Sequence, residues 1–360
     1  MMRDIVVLVR SRPFFGAQLV MFPALHQLKQ WLPDHCLRVV ARDPLGSVFE
    51  ALPWVDEFRL ARSAFDEWRA IGSACAVLLA LHPSSERHGA LAALRLPPVR
   101  LGYHNGRLTD RVWTHAIAAD THTYRALHGL QLLNAWRPLD PFASARDSVL
   151  ALAAVLPPAE RVAPGGIVLM PGGGAGEFKK WGLDNFLALV EALRRGPSGA
   201  APVHIVLGPA EAAEAAALEA DAIHDCTVWL QPSLSQLAAL VADARLVVAN
   251  DCGPSHLGQC SGTPFVGLFD AIKPEWFWPR PLARCLTPSD NLPLRELPLP
   301  TVLAACEDLL TEASRGLNAV APSLYWPHIA NGPRRPATDS PPTLDLSALA
   351  DPPNPADVGQ

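Results

Sequence analysis

The sequence predicts an α/β protein built from two doubly wound units of similar size, and three observations carry that prediction. Short β-branched runs alternate with longer stretches whose apolar residues recur at helical spacing, the pattern of βα units around a parallel sheet. The chain has 360 residues, two to three times the usual domain of roughly 100–200 residues, so a single core is not expected to serve it. A Pro- and Gly-rich run, Leu156-Pro157-Pro158 through Pro164-Gly165-Gly166, interrupts the alternation near its middle, as a linker would.

Taken in order, the first strand reads as Asp4 to Arg10 and enters the loop Ser11-Arg12-Pro13-Phe14-Phe15-Gly16. A helix from Ala17 to about Trp31 follows, with apolar residues at 19, 20, 22, 25, 28 and 32 at helical spacing. Strands are then expected over Leu37 to Ala41, Val55 to Leu60, Ala76 to Leu81 and Val99 to Tyr103, and helices near 122–135 and 143–155. The second series begins with strand Ile167 to Met170, a glycine loop and a helix from about Leu183 to Arg195. Strand Val203 to Leu207, helix Ala210 to Glu219, strand Thr227 to Leu230, helix Ser235 to Ala242 and strand Leu246 to Ala249 come next. A helix opening near Gly253, strand Phe265 to Phe269 and a late helix near 300–312 complete it. The expected organisation is an N-terminal domain over 1–160, a C-terminal domain over 161–316 and a Pro-rich tail over 317–360. Seven of the last thirty residues are proline, so 331–360 is expected to be disordered.

Composition narrows the function. At 49% hydrophobic and 18% charged the chain has ample material for packed cores. Its net charge of −5 provides no overall basic field to gather phosphate backbones, so a nucleic-acid partner is not expected. No window approaches the roughly 18 consecutive apolar residues of a spanning helix, the longest candidate being Ile71 to Leu81. The start of the chain lacks the apolar stretch and cleavage site of a secretory signal, so a cytoplasmic location is expected. Seven scattered cysteines without a CxxC pair support neither a disulfide framework nor a zinc site; reduced, mostly buried thiols are expected, with no metal and no cofactor. Lysine occurs only at 29, 179, 180 and 273, which singles out the adjacent pair.

In open α/β sheets ligands bind beyond the carboxyl ends of the strands, which selects the loops that carry chemistry. The run Pro171-Gly172-Gly173-Gly174-Ala175-Gly176-Glu177-Phe178-Lys179-Lys180-Trp181 leaves a strand for a helix. Its glycines let backbone N–H groups approach an anion and its lysines add charge, so it suits a phosphate or pyrophosphate; a flexible turn reads equally well. It is neither GxGxxG nor a P-loop. The second run, Val247 to Leu257, contains Asn250-Asp251-Cys252-Gly253-Pro254-Ser255-His256. Here Asp251 could cap the following helix and His256 could be an ordinary packed histidine, or both could face a ligand.

Together, PGGGAGEFKKW, VLGPAEAAE and LSQLAALVADARLVVANDCGPSHLGQCSGTPFVGLFD, in that order, resemble the donor-binding half of the ADP-heptose:lipopolysaccharide heptosyltransferases, glycosyltransferase family nine. The N-terminal half is similar too, in Gly16 before a helix with Phe22-Pro23-Ala24-Leu25, in Pro53-Trp54-Val55-Asp56-Glu57 and in Arg100-Leu101-Gly102-Tyr103. The resemblance covers about residues 3 to 312. It implies the GT-B fold, two Rossmann-like domains facing a central cleft, with a nucleotide-sugar donor on the C-terminal domain and a saccharide or lipid-linked acceptor on the N-terminal one. Gly174 and Ala175 match diphosphate contacts, Lys179 the lysine that neutralises the diphosphate, and Glu211 a carboxylate on the ribose, for which Glu214 competes. Asp251, Cys252, Gly253 and His256 match the family's D-T/S-G-x-x-H, with Cys252 in place of the hydroxyl.

The resemblance implies an inverting, metal-independent transfer of heptose from ADP-heptose to a lipopolysaccharide-core or other saccharide acceptor, with peripheral contact at the cytoplasmic face of the inner membrane. One departure bears on activity. Family members carry an aspartate after the glycine, the expected general base, and this chain reads Gly16-Ala17. His26, Asp43, His82, Glu86, His104 and Asp110 are nearby polar candidates to replace it, and sequence does not choose among them. The alternative is a catalytically impaired nucleotide-sugar-binding pseudoenzyme; a further one is a GT-B protein using a UDP-sugar. Arg10, Arg12, Arg62, Arg87 and Arg107, with Gly16, could face an anionic acceptor, or the arginines could be solvated surface groups. The loop Asp270 to Pro279, with Trp276, Phe277 and Trp278, could cover the donor or pack between the domains.

Overall fold

The computed structural model describes residues 4–9, 14–44, 46–82, 86–174, 176–196, 199–221, 226–289 and 292–315. Arg10, Arg12, Ala175 and the expected tail 317–360 lie outside these residues.

The N-terminal half runs β1 (Asp4–Val9), α1 (Phe15–Leu19), α2 (Phe22–Trp31), β2 (Cys36–Ala41), α3 (Gly46–Phe49), β3 (Glu57–Leu60) and α4 (Ala64–Ile71). It continues with β4 (Cys75–Ala80), α5 (Glu86–Arg95), β5 (Val99–His104), β6 (His115–Ala118), α6 (Arg125–Asn134) and α7 (Pro141–Ala153). The C-terminal half runs β7 (Ile167–Met170), α8 (Leu183–Arg195), β8 (Val203–Leu207), α9 (Ala212–Asp221), β9 (Cys226–Leu230) and α10 (Leu234–Asp243). Then come β10 (Leu246–Asn250), α11 (Ser255–Cys260), β11 (Phe265–Leu268), β12 (Ala283–Leu286) and α12 (Leu299–Ser314).

Each half forms one six-stranded sheet, ordered β3-β2-β1-β4-β5-β6 and β12-β11-β10-β7-β8-β9, with every pairing parallel. The two orders are the same when each half is numbered from its own first strand. In both, the order reverses beside that first strand, at β1/β4 and β7/β10, so each sheet has a crevice at its carboxyl edge there. The central strands are apolar almost throughout because helices cover both faces; β4, β7 and β10 are buried along their whole length.

Two details differ from the sequence reading. The helix expected from Ala17 to Trp31 is two helices, broken at Val20-Met21. Pro23 in the first turn of α2 has no N–H and clashes with the carbonyl four residues earlier, so the ladder restarts there. The edge strands β6 and β12, short and half-exposed, were not read from the sequence.

Helix α7 joins the halves. Asp140 caps it by accepting from Phe142 N (2.9 Å) and Ala143 N (3.2 Å), and it packs on α2 from one half and on α10 and α11 from the other. Trp278, 1% exposed, stacks on Phe142 and Tyr124 with ring centroids 4.9 and 5.5 Å apart. Arg125 bridges the halves twice, through its N–H to Glu275 O (3.0 Å) and its guanidinium to the Glu275 carboxylate (2.5 Å). The segment 275–278 is therefore packed between the halves.

Candidate functional site

Four loops leave the carboxyl ends of β7, β8, β10 and β11 and bring opposite charges together. Lys179 Nζ donates to Asp251 Oδ2 at 2.5 Å, and Lys273 Nζ lies 3.7 Å from the same oxygen while donating to Asp270 Oδ1 at 2.6 Å. Lys180 Nζ lies 2.7 Å from Glu177 and 3.3 Å from Glu211, and its hydrogen bond to Glu177 holds its pKa above the ordinary lysine value. The second oxygen of Glu211 accepts the Gly208 N–H at 3.1 Å. Glu211 and Asp251 are 6% exposed each, so these carboxylates need their cationic partners. Three of the four lysines in the chain thus meet four carboxylates, of which Asp251 and Glu211 are buried.

The backbone of the glycine loop is held at both ends by Asn250. Its amide donates to Pro171 O at 2.7 Å and accepts from Trp181 N at 3.3 Å, tying the loop to the end of β10. Glycine is required within it: a Cβ on Gly173 would stand 2.6 Å from Lys180 Cγ, and Gly174 has φ +52°, a left-handed conformation that L side chains rarely adopt. The loop folds closely around the Lys180 side chain.

Asp251 does not cap α11, which begins at Ser255 without a side-chain cap; its carboxylate turns to the lysines instead. Cys252 is buried, and desolvation pushes its thiol up to about 12, so it stands as a neutral thiol beside the glycine loop. Gly253 meets α1 of the other half: a Cβ there would lie 3.0 Å from Gly16 N and 2.8 Å from Phe15 Cδ1. Gly16 in turn has room for no Cβ, which would meet His256 Nε2 at 3.0 Å and Gly253 Cα at 3.1 Å. The start of α1, with Ala17, therefore sits directly on the start of α11.

His256 is fixed from both halves. Gln259 accepts from Trp278 N (2.7 Å) and donates to Trp276 O (3.1 Å), which sets its amide orientation, so its NH₂ donates to His256 Nδ1 at 3.3 Å. Tyr124 OH is 3.1 Å from the same nitrogen. With Nδ1 accepting, the neutral ring carries its proton on Nε2. Burial lowers its pKa to about 4, so the ring is uncharged at neutral pH.

Of the arginines expected to face an acceptor, Arg87 and Arg107 are paired with carboxylates. Arg87 donates to Glu67, which is 2% exposed, at 2.7 Å, and Arg42 lies 3.9 Å from the same carboxylate. Arg107 pairs with Glu86, and Arg42 reaches the carbonyl of Arg62 at 3.4 Å. Asp110 accepts backbone N–H groups of Asn105 (2.7 Å) and Arg107 (3.0 Å). His26 is buried on α2, edge-on to Trp54, and desolvation lowers its pKa. A pocket opens at the carboxyl ends of β4 and β5, lined by His82, Glu86, Tyr103, Asn105, Thr109 and Asp110 among others.

The glycosyltransferase family 9 (heptosyltransferase) family model matches residues 72–290, more than half of the chain. The protein belongs to glycosyltransferase family 9. Comparison with curated protein sequences returns no match. Among solved structures, a family 9 glycosyl transferase from Veillonella parvula is 19% identical with a TM-score of 0.59, covering 86% of this chain and 98% of that one. The E. coli heptosyltransferase WaaC, solved with ADP-2-deoxy-2-fluoro heptose, is 17% identical with a TM-score of 0.60 over 85% and 99%. A UDP-GlcNAc 2-epimerase from Methanocaldococcus jannaschii shares the fold at 10% identity, TM-score 0.54, over 85% and 92%. The family 9 chain is thus a GT-B glycosyltransferase. Among its described residues no three metal-ligating side chains cluster, and no helix is long and apolar enough to cross a membrane.

Lys273, Asn250, Tyr124 and Gln259 were not singled out as site residues from the sequence. The signal for Lys273 was present in the scarcity of lysine. The others emerge only once distant segments meet.

Proposed function

We propose that this family 9 glycosyltransferase transfers heptose from ADP-heptose to a saccharide acceptor of the lipopolysaccharide-core type, with inversion and without a metal. The observation that carries the reading is the Lys179–Asp251 pair, with Lys273 beside it, set against the glycine loop at the β7/β10 crevice. As the sugar leaves, negative charge grows on the diphosphate, and in this reading Lys179, Lys273 and the N–H groups of the glycine loop stabilise it. Two lysines supply the cationic stabilisation that a divalent ion supplies elsewhere. Asp251 keeps Lys179 in place until a donor enters, and Glu211, held by Lys180 and Gly208 N, is available to the ribose hydroxyls. Cys252 offers only a weak S–H donor where the family has a hydroxyl. His256, neutral and protonated on Nε2, is a donor and not a base. The acceptor enters from the N-terminal half, whose arginines suit an anionic saccharide. The work is assigned to the cytoplasmic face of the inner membrane, where a lipid-linked acceptor would be presented.

Calorimetric binding of ADP and UDP, followed by ADP release from ADP-heptose with and without heptose-deficient lipopolysaccharide, tests the reading. Acceptor-dependent ADP release is expected. Tight ADP binding without release would favour the pseudoenzyme that Ala17 suggests, and binding of UDP alone would overturn the donor.

A further inference from the structure

His256 belongs to the C-terminal half, yet the N-terminal half helps to hold it: Tyr124, at the start of α6, places its hydroxyl 3.1 Å from His256 Nδ1. We infer that Tyr124 and Gln259 are positioning residues of the nucleotide site, which keep the His256 ring oriented with its protonated Nε2 towards the seam where the two halves meet. This rests on the transferase reading above, in which the diphosphate lies beside that seam.

The four side chains involved, Gln259, His256, Tyr124 and Cys260, are all buried. The Gln259 amide is fixed at both ends by backbone, its oxygen facing the N–H of Trp278 and its NH₂ the carbonyl of Trp276. The second hydrogen of that NH₂ has His256 Nδ1 at 3.3 Å. An amide hydrogen can only donate, so Nδ1 is the bare nitrogen of the ring. The Tyr124 hydroxyl then donates to the same nitrogen, and its oxygen is left to accept from the Cys260 thiol, 3.9 Å away. Turning the ring over would set a C–H against both donors, so the two residues select its orientation as well as its tautomer.

The opposite edge of the ring is where this selection acts. A Cβ on Gly16 would stand 3.0 Å from His256 Nε2 and 3.1 Å from Gly253 Cα, so the Nε2–H lies where α1 meets the turn before α11. The glycine loop approaches the same turn, since a Cβ on Gly174 would be 4.0 Å from Cys252 Cα. The charges of Asp251 and Lys179 reach the ring in opposite senses, the first raising its pKa and the second lowering it, while desolvation outweighs both and keeps the ring neutral. A neutral ring with a fixed Nε2–H can donate to a substrate oxygen at the seam, and such a contact strengthens as charge grows on the leaving diphosphate. Through Tyr124 the N-terminal half thus takes part in holding the nucleotide.

Nitrogen NMR of protein labelled at histidine reads the tautomer at neutral pH, the His256 signals being assigned by their loss in His256→Asn. A bare Nδ1 and a protonated Nε2 are expected, and the reverse would overturn the inference. Calorimetric ADP binding reads the positioning. Tyr124→Phe, which keeps the ring stacked on Trp278, and Gln259→Met, which keeps the length of the side chain, are each expected to weaken binding about 2- to 12-fold, the worth of one neutral hydrogen bond. In a His256→Asn background neither is expected to weaken it further, because both act through the imidazole. Undiminished losses in that background, or none where His256 is present, would mean packing alone and overturn the assignment. A wild type that binds ADP but releases none from ADP-heptose with acceptor would overturn the transferase reading, with the positioning still decided by ADP affinity; one that binds no ADP would overturn both.

Discussion

Replacing Lys179 by Met removes a cation from the proposed diphosphate site and keeps much of the side-chain volume. In the free protein Asp251, 6% exposed, would lose a partner at 2.5 Å and keep Lys273 at 3.7 Å. Breaking a fully buried pair costs about 3–5 kcal/mol, but a second lysine remains and Lys179 is 18% exposed, so about 1–3 kcal/mol of stability is expected to go. With nucleotide, a charge-assisted contact worth roughly 1.5–3 kcal/mol is lost, which weakens ADP binding about 10- to 150-fold. Calorimetry on protein whose fold is checked by circular dichroism reads the affinity, and urea unfolding reads the stability. Asp251→Asn separates the two roles, because it frees Lys179 and removes a negative charge from the cradle; its ADP affinity is expected to equal or exceed that of wild type. Unchanged ADP affinity in a folded Lys179→Met protein would refute the assignment of this crevice to the diphosphate.

Three further outcomes follow from the packing between the halves. Gly253→Ala puts a Cβ 3.0 Å from Gly16 N, backbone that cannot swing aside, so a loss of about 1–3 kcal/mol in urea unfolding is expected; full stability would mean that α1 and α11 do not approach as described. Trp278→Ala empties the space between Tyr124 and Phe142 and is expected to cost about 3–5 kcal/mol, and a small effect on the unfolding midpoint would contradict that packing. His256 has its pKa lowered from 6.5 to about 4 by burial, so between those values the unfolded chain binds the proton that the folded one refuses, and stability falls as pH falls through that window. At pH 5 the penalty is on the order of 2 kcal/mol. His256→Asn should lose that much less stability than wild type on going from pH 7 to pH 5, and parallel pH profiles would count against a buried neutral ring.

What the sequence made legible follows from how each feature is encoded. Strands buried on both faces must be apolar throughout, so β1, β4, β7 and β10 are visible as runs, whereas β6 (HAIA) and β12 (ARCL) are short, half-exposed edges with no such constraint. Pro23 carried the break between α1 and α2 in plain sight. In the site, glycines forced by close approach and charges set in one loop are local, and so the cradle and Asp251 could be read. Whether Asp251 capped a helix or met a lysine could not be, because that depends on where α11 begins and on a lysine 72 residues away. The contact of Tyr124 with His256 joins residues 132 apart and leaves no mark in either segment.

The two halves share one strand order, so the chain holds the same crevice twice, and the fold by itself does not say which half takes the nucleotide. In the proposed reading the charged groups do. At β7/β10 the cations are lysines, compact point charges set beside a glycine cradle, and they are held by carboxylates 6% exposed that would release them to a stronger anion. In the N-terminal half Glu67 fixes the arginines Arg87 and Arg42, whose planar guanidinium groups suit bidentate recognition of carboxylate or phosphate. In the proposed transferase, the first crevice would draw charge out of the leaving group and the second would receive the acceptor. Their meeting at Gly16, Gly253 and His256, where neither glycine has room for a side chain, is the geometry a transfer between the two halves requires.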